Sequence, residues 1–129
     1  MKLLLDTHVF LWWITDDPRL DSGARALLAN PTNSLVWSVA STWEVATKHA
    51  LGKLPLPVSP EDLLPAQRRA NGVELLAVGE AHALESARLP RHHADPFDRL
   101  LIAQARCEGL ALLSFDAIFH QYDVRLLRS

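Results

Sequence analysis

The sequence predicts an α/β fold, a three-layer α/β/α sandwich around a mainly parallel sheet, and three observations carry that prediction. Short apolar runs recur at residues 2–5, 35–37 and 110–113, with the composition of strands buried on both faces. Longer helix-like stretches lie between them, several opened by Ser, Thr or Asp and closed by Gly or stopped before Pro. The two kinds of segment alternate along the chain, and such alternation folds as a parallel sheet with helices on both faces.

Taken in order, residues 2–5 form a first buried strand that ends at Asp6. Thr7 is placed to cap a helix that Val9, Phe10, Trp12 and Trp13 make almost wholly apolar. Asp16-Asp17-Pro18 is a turn, and residues 22–30 a short helix stopped before Pro31. A second strand at 35–37 leads to a helix starting near Ser38 or Ser41 and running to Leu51, with Gly52 as its stop. Leu54-Pro55-Leu56-Pro57 is a rigid connector, and Ser59-Pro60-Glu61 opens another helix with proline in its first turn. Residues 73–78 are strand-like and 80–88 helical. Asp95-Pro96 opens a helix that runs to Glu108 and ends at Gly109. The apolar strand 110–113, a short helix over 116–122 and a last strand near 124–127 complete the chain. No repeat or linker divides it, so a single domain over 1–129 is expected.

With 49% hydrophobic and 22% charged residues, the composition is that of a globular protein. A single cysteine, Cys107, excludes an internal disulfide and favours a reducing compartment; on an apolar helix it is expected in the core. The apolar opening is too short for a signal segment and no stretch is long enough to span a bilayer, so a cytoplasmic protein away from membranes is expected. A net charge of −2 does not advertise nucleic-acid binding, but acid concentrated in one pocket would leave a basic rim around it.

Four carboxylates, Asp6, Glu44, Asp98 and Asp116, sit where strands end or helices begin. Each has a plain local reading. Asp6 suits a turn or cap, and Asp116 a helix N-cap. Glu44 closes Ser41-Thr42-Trp43-Glu44, the pattern of a capping box, and Asp98 lies three residues after a possible cap at Asp95. Capping does not account for all four together. A parallel sheet gathers such points at its carboxyl edge, where ligands bind. Acids collected there repel one another unless a cation joins them, so a divalent metal is the natural occupant and a phosphodiester the natural substrate.

Leu5-Asp6-Thr7-His8 with Trp12-Trp13, and Ala40-Ser41-Thr42-Trp43-Glu44 with Lys48 and Gly52-Lys53-Leu54, resemble the opening half of a PIN domain. His93-Ala94-Asp95-Pro96-Phe97-Asp98-Arg99-Leu100-Leu101-Ile102-Ala103-Gln104-Ala105 resembles its third block, and Leu113-Ser114-Phe115-Asp116 its fourth. The blocks cover nearly the whole chain in order. The chain is most similar to PIN-domain ribonucleases of the VapC kind, toxins of type II toxin–antitoxin pairs.

That resemblance implies a PIN-like fold and an endoribonuclease that uses Mg²⁺ or Mn²⁺. Carried over residue by residue, the metal ligands and catalytic acids are Asp6, Glu44, Asp98 and Asp116. Ser114 matches the family's small hydroxyl residue near the fourth acid. Asp95 is placed to support the ligands or to cap, with direct ligation the weaker option, and Thr7 is a further supporting candidate. The products are expected to carry a 5′-phosphate and a 3′-hydroxyl. The resemblance also implies a small antitoxin protein, seated on an apolar groove near Phe10–Trp13 or Leu54–Leu56, and a homodimer.

Cations for substrate phosphates are sought near the acidic blocks: Arg99 first, then Lys48, Arg91, His92 and His93, with Lys53, Arg68 and Arg69 extending the rim. His92-His93 otherwise reads as a polar loop, His8 as a helix-packing or hydrogen-bonding residue, and the six histidines show no zinc spacing. Trp12, Trp13 and Trp43 are assigned to core or subunit packing before base stacking, and Trp37 to the core. Two other functions compete with nuclease activity. One is a PIN-fold module that binds RNA without cutting it, and the other a different Mg²⁺-dependent phosphoryl hydrolase. An aspartyl nucleophile of that second kind commonly has another acid two positions on, where this chain has His8.

Overall fold

The structure is a computed structural model that describes residues 1–127. Its centre is a five-stranded sheet in the order β3-β2-β1-β4-β5. The strands are β1 (Lys2–Leu5), β2 (Ser34–Ser38), β3 (Glu74–Leu76), β4 (Ala111–Leu113) and β5 (Leu126–Leu127), and every pairing is parallel. The helices are α1 (Thr7–Ile14), α2 (Ser22–Ala29), α3 (Val39–Ala50), α4 (Pro60–Asn71), α5 (Glu80–Arg88) and α6 (Pro96–Glu108), with a 3-10 turn at Ala117–Gln121.

Successive residues of a strand face opposite sides, and here that period divides the core in two. Leu3, Leu5, Leu35, Trp37 and Leu113 face one layer, where they meet Val9 and Phe10 of α1, Leu28 of α2, Val45 of α3 and Leu64 of α4. Leu4, Val36 and Leu112 face the other, against Leu101, Ile102 and Ala105 of α6 and Leu89 beyond α5. Trp37 is wholly buried, with its indole N–H donating to Thr42 Oγ1 at 2.8 Å, so its large apolar area is gained without an orphan donor.

Several boundaries differ from expectation for local reasons. Thr7 is the first residue of α1 and Asp6 occupies the cap position. α3 starts at Val39 because the Ser38 hydroxyl accepts from the Ala40 N–H as β2 ends, which settles the choice between Ser38 and Ser41. β3 spans Glu74–Leu76 and β5 Leu126–Leu127, both shorter than the runs 73–78 and 124–127. The segment after β4 forms a 3-10 turn over Ala117–Gln121, inside the expected short helix 116–122.

The sheet order reverses direction at β1: the chain builds outward through β2 and β3, then returns to add β4 and β5 on the other side. Crevices for ligands form beyond the carboxyl ends of strands at such a switch point. Asp6 leaves β1 there, and its N–H donates to Leu113 O of β4 at 3.0 Å.

Candidate metal centre

Each predicted acid reaches the carboxyl edge by a different local device. The Asp6 side chain makes no capping bond to α1; its Oδ2 instead accepts from the Ser114 hydroxyl at 2.7 Å. Ser114 is fully buried just past β4, and its Oγ also accepts from the Asp116 N–H at 3.0 Å. One hydroxyl thus ties the first acid to the backbone of the fourth.

Glu44 lies in the second turn of α3, one turn too late for a capping box begun at Ser41. It is 3% exposed, and its Oε1 accepts from Thr7 Oγ1 at 2.7 Å while Oε2 pairs with Lys48 one turn on. Thr7 Oγ1 also lies 2.8 Å from Ser41 Oγ, and since a carboxylate can only accept, Thr7 donates to Glu44 and accepts from Ser41. Asp95 does cap α6, accepting from the N–H groups of Phe97 at 2.9 Å and Asp98 at 3.3 Å, with Pro96 filling the position that has no donor to satisfy. Asp98 Oδ2 faces His93 Nε2 at 3.1 Å. Asp116 caps the 3-10 turn through the Ile118 N–H at 3.1 Å and is exposed. It lines a cleft of about 290 Å³ with Asp6, His8, Trp12 and Arg19.

The electrostatics are those of a site short of positive charge. Burial pushes the Asp6 carboxyl above its usual range; the Ser114 hydrogen bond and His8 oppose this, and Glu44 adds to it. Asp98 is pushed up to about 7, first by burial and then by the negative charges of Asp6, Asp95 and Glu44, against the pull of His93. Burial alone would depress Lys48, but its bond to Glu44 and the fields of Glu44, Asp95 and Asp98 leave it above the usual lysine value. Asp6, Glu44, Asp95 and Asp98 therefore feel one another, with the Lys48 ammonium among them.

Among the described residues, no three His, Cys, Asp or Glu side chains form a ready-made metal cage. Each carboxylate is engaged with its own partner: Ser114, Thr7 and Lys48, or His93. The donor set still fits a divalent cation. It consists of hard carboxylate oxygens, and two of the acids are held above their usual range, a penalty that a bound cation relieves.

Several expected roles change. Arg99 does not face the acids: its guanidinium donates to the carbonyls of Ser86 at 2.7 Å, Pro90 at 2.9 Å, Leu89 at 3.0 Å and His93 at 3.4 Å. It is 7% exposed, and with these donors spent on carbonyls it clamps the loop before α6. Arg91 is exposed and lines a separate cleft with Ser86, Pro96 and Arg99. Lys48 does sit at the acids, as a counter-charge to Glu44. Cys107 is exposed on α6 instead of buried. Trp12 and Trp13 pack partly against the core, whereas Trp43 is 54% exposed and stands edge-to-face with Phe97, with ring centroids 4.8 Å apart.

The site also holds two residues whose place the sequence barely signals. Arg19 stacks 4.9 Å over Trp12, pairs with Asp17 at 2.7 Å, and presents a cation to the cleft shared by Asp6 and Asp116. Its only sequence signal is its place after the Asp16-Asp17-Pro18 turn. His93, expected as a cation near the acids or a polar loop residue, contacts a candidate ligand directly.

Comparison with known proteins agrees with this fold. The family model for the PIN domain matches residues 3–125. Ribonuclease VapC16 from Mycobacterium tuberculosis is 39% identical over 69 residues, which is 50% of this chain and 49% of that relative. The match thus spans about half the length of the curated relative. VapBC2 from Rickettsia felis, solved bound to a DNA fragment from its promoter, superposes with a TM-score of 0.73 at 14% identity, covering 100% of this chain and 99% of that one. DNA-bound VapBC from Salmonella typhimurium gives a TM-score of 0.70 at 16% identity, covering 99% and 98%. At such identities the solved structures speak for the fold, which is the one described above. A family match over residues 3–125, on a parallel sheet that brings acids to its switch point, makes this chain a member of the PIN-domain family.

Proposed function

We propose that this chain is a divalent-metal-dependent endoribonuclease and the toxin of a toxin–antitoxin pair. The observation that carries the reading is the group of buried, mutually repelling carboxylates at the β1/β4 crevice, with Asp6 and Asp98 both held toward protonation. The name of the relative Ribonuclease VapC16 supports the RNA-cleaving activity, and the VapBC assemblies among the structural neighbours support a protein partner.

Asp6, Glu44, Asp98 and Asp116 would hold Mg²⁺ or Mn²⁺, with Asp95 at the margin as the α6 cap. When bound, the ion supplies Lewis acidity and makes attack by water feasible near neutral pH. The chain's own residues do the rest. Ser114 and Thr7 donate their hydroxyl protons to Asp6 and Glu44, which orients those carboxylates as ligands. Lys48 balances charge while the site is empty, and Arg19 offers a cation to a substrate phosphate across the cleft from Asp116.

The antitoxin would lie on the cleft where Leu11 and Trp12 of α1 meet Leu54, Pro55 and Leu56, an apolar stretch with Asp17 and Arg19 also on its lining. The two candidate grooves are one groove. A second copy of the chain completes the proposed assembly. Among the described residues no helix is long and apolar enough to cross a membrane.

The test is cleavage of total RNA by purified chain in Mg²⁺ or Mn²⁺, beside Asp6→Asn and Asp98→Asn. Either variant should lose more than about 100-fold in rate, since partners outside the ligand set already cost about 10–100-fold in metal sites. Cleavage that persists in EDTA, or in both variants, would falsify the mechanism. RNA retention without cleavage would instead mark a binding module.

A further inference from the structure

The loop between α5 and α6 carries His93, and two groups hold it from opposite sides. Arg99 fixes the backbone through four carbonyls, that of His93 among them. Tyr122, buried at 6% exposure just past the 3-10 turn that Asp116 caps, meets both the backbone and the ring of His93. One proton assignment satisfies every partner. The His93 N–H donates to the Tyr122 oxygen at 3.2 Å, a carboxylate beside Nε2 accepts a hydrogen from that nitrogen, and the phenol's own proton then donates to Nδ1 at 3.1 Å. A neutral ring that accepts at Nδ1 carries its hydrogen on Nε2, and Nε2 stands 3.1 Å from Asp98 Oδ2.

We propose that Tyr122 and His93 form a positioning relay to Asp98. Tyr122 selects the ring tautomer, His93 donates to one carboxylate oxygen, and the other oxygen is turned to a divalent cation. The relay rests on the metal-site reading above and deepens it. It also joins two segments that supply separate acids, since the turn capped by Asp116 ends at the tyrosine that sets the partner of Asp98. Neither residue touches substrate; both act through Asp98.

Without Tyr122 the opposite tautomer is free to form, and it aims an Nε2 lone pair at the carboxylate. Such outer partners of metal ligands are worth about 10–100-fold in metal affinity. Mn²⁺ titration of the full chain by calorimetry, without RNA, should show affinity weakened about 10-fold in Tyr122→Phe and about 10–100-fold in His93→Ala. His93→Gln, which keeps an N–H near the place of Nε2, should recover part of that loss, with melting temperatures recorded for all variants. Nitrogen NMR of the unsubstituted protein at about pH 8, where an ordinary imidazole is neutral, should report the Nε2–H tautomer for His93. An Nδ1–H ring overturns the relay whether or not metal binds. Wild-type affinity in folded Tyr122→Phe and His93→Ala overturns it too, as does a glutamine variant no better than alanine. An unsubstituted chain that binds no Mn²⁺ overturns the metal reading itself, and the cation half of the relay with it.

Discussion

Asp98 and Arg99 are consecutive residues in the first turn of α6, both largely buried and both ionisable, and the fold treats them in opposite ways. Arg99 is surrounded by four carbonyl oxygens, three from the loop before α6 and one, Ser86, from the end of α5, so its charge is well served. Asp98 has a single ring N–H against the field of three other carboxylates, and its pKa rises to about 7. A buried charge that is satisfied stabilises a loop. One left short of partners is held ready for an ion that arrives from outside.

That contrast can be broken by substitution. Arg99→Met keeps the aliphatic stem but strands several buried carbonyls, so stability should fall by about 3 kcal/mol, read as a drop in Tm of about 10 °C. Its loss of Mn²⁺ affinity, measured well below Tm, should not exceed that of His93→Ala. An Arg99→Met protein of ordinary stability would refute the clamp.

Asp98 should respond to pH instead. An unfolded aspartate ionises near its ordinary value of 3.8, whereas folded Asp98 does so near 7. Between these values the folded chain keeps a proton that the unfolded chain has lost, so stability declines as pH rises through the window and stays low above it. Metal-free protein should therefore melt progressively lower from about pH 5 to about pH 8. Asp98→Asn should flatten that trend, and Mn²⁺ should reverse it at the upper end. A flat profile in the unsubstituted, metal-free chain would count against a strained carboxylate.

The smallest effect belongs to Ser114→Ala. It removes one hydrogen bond to Asp6 and should raise that carboxyl further, since the bond opposes the effect of burial. Mn²⁺ affinity should fall about 10-fold, the low end for an outer partner, with little change in Tm. An unchanged affinity would make Ser114 only a turn residue for Asp116.

The sheet was legible because its strands are short apolar runs whose alternate residues serve two cores, a pattern that needs no long-range knowledge. Asp6 and Asp116 could be placed by their strands for the same reason. Glu44 was ambiguous because Ser38 and Ser41 both suit a cap, and only the end of β2 decides between them. The reach of Arg99 could not be read, since it depends on how the preceding loop folds back beside α6. His93 looked like a loop residue because its partner Tyr122 lies 29 positions away.

The place of β1 in the sheet has a consequence for how the chain is made. β1 is synthesised first, yet its neighbour β4 lies at Ala111–Leu113, and Ser114 and Asp116 follow only after that. A nascent or truncated chain that stops before β4 can pair β1 with β2 but has half a crevice, with Asp6 lacking its hydroxyl partner. Pairing residues so far apart in sequence is also slow. The acids thus come together only once β4 and the turn beyond it have been made, and a copy of the chain that stops before them is an unarmed one.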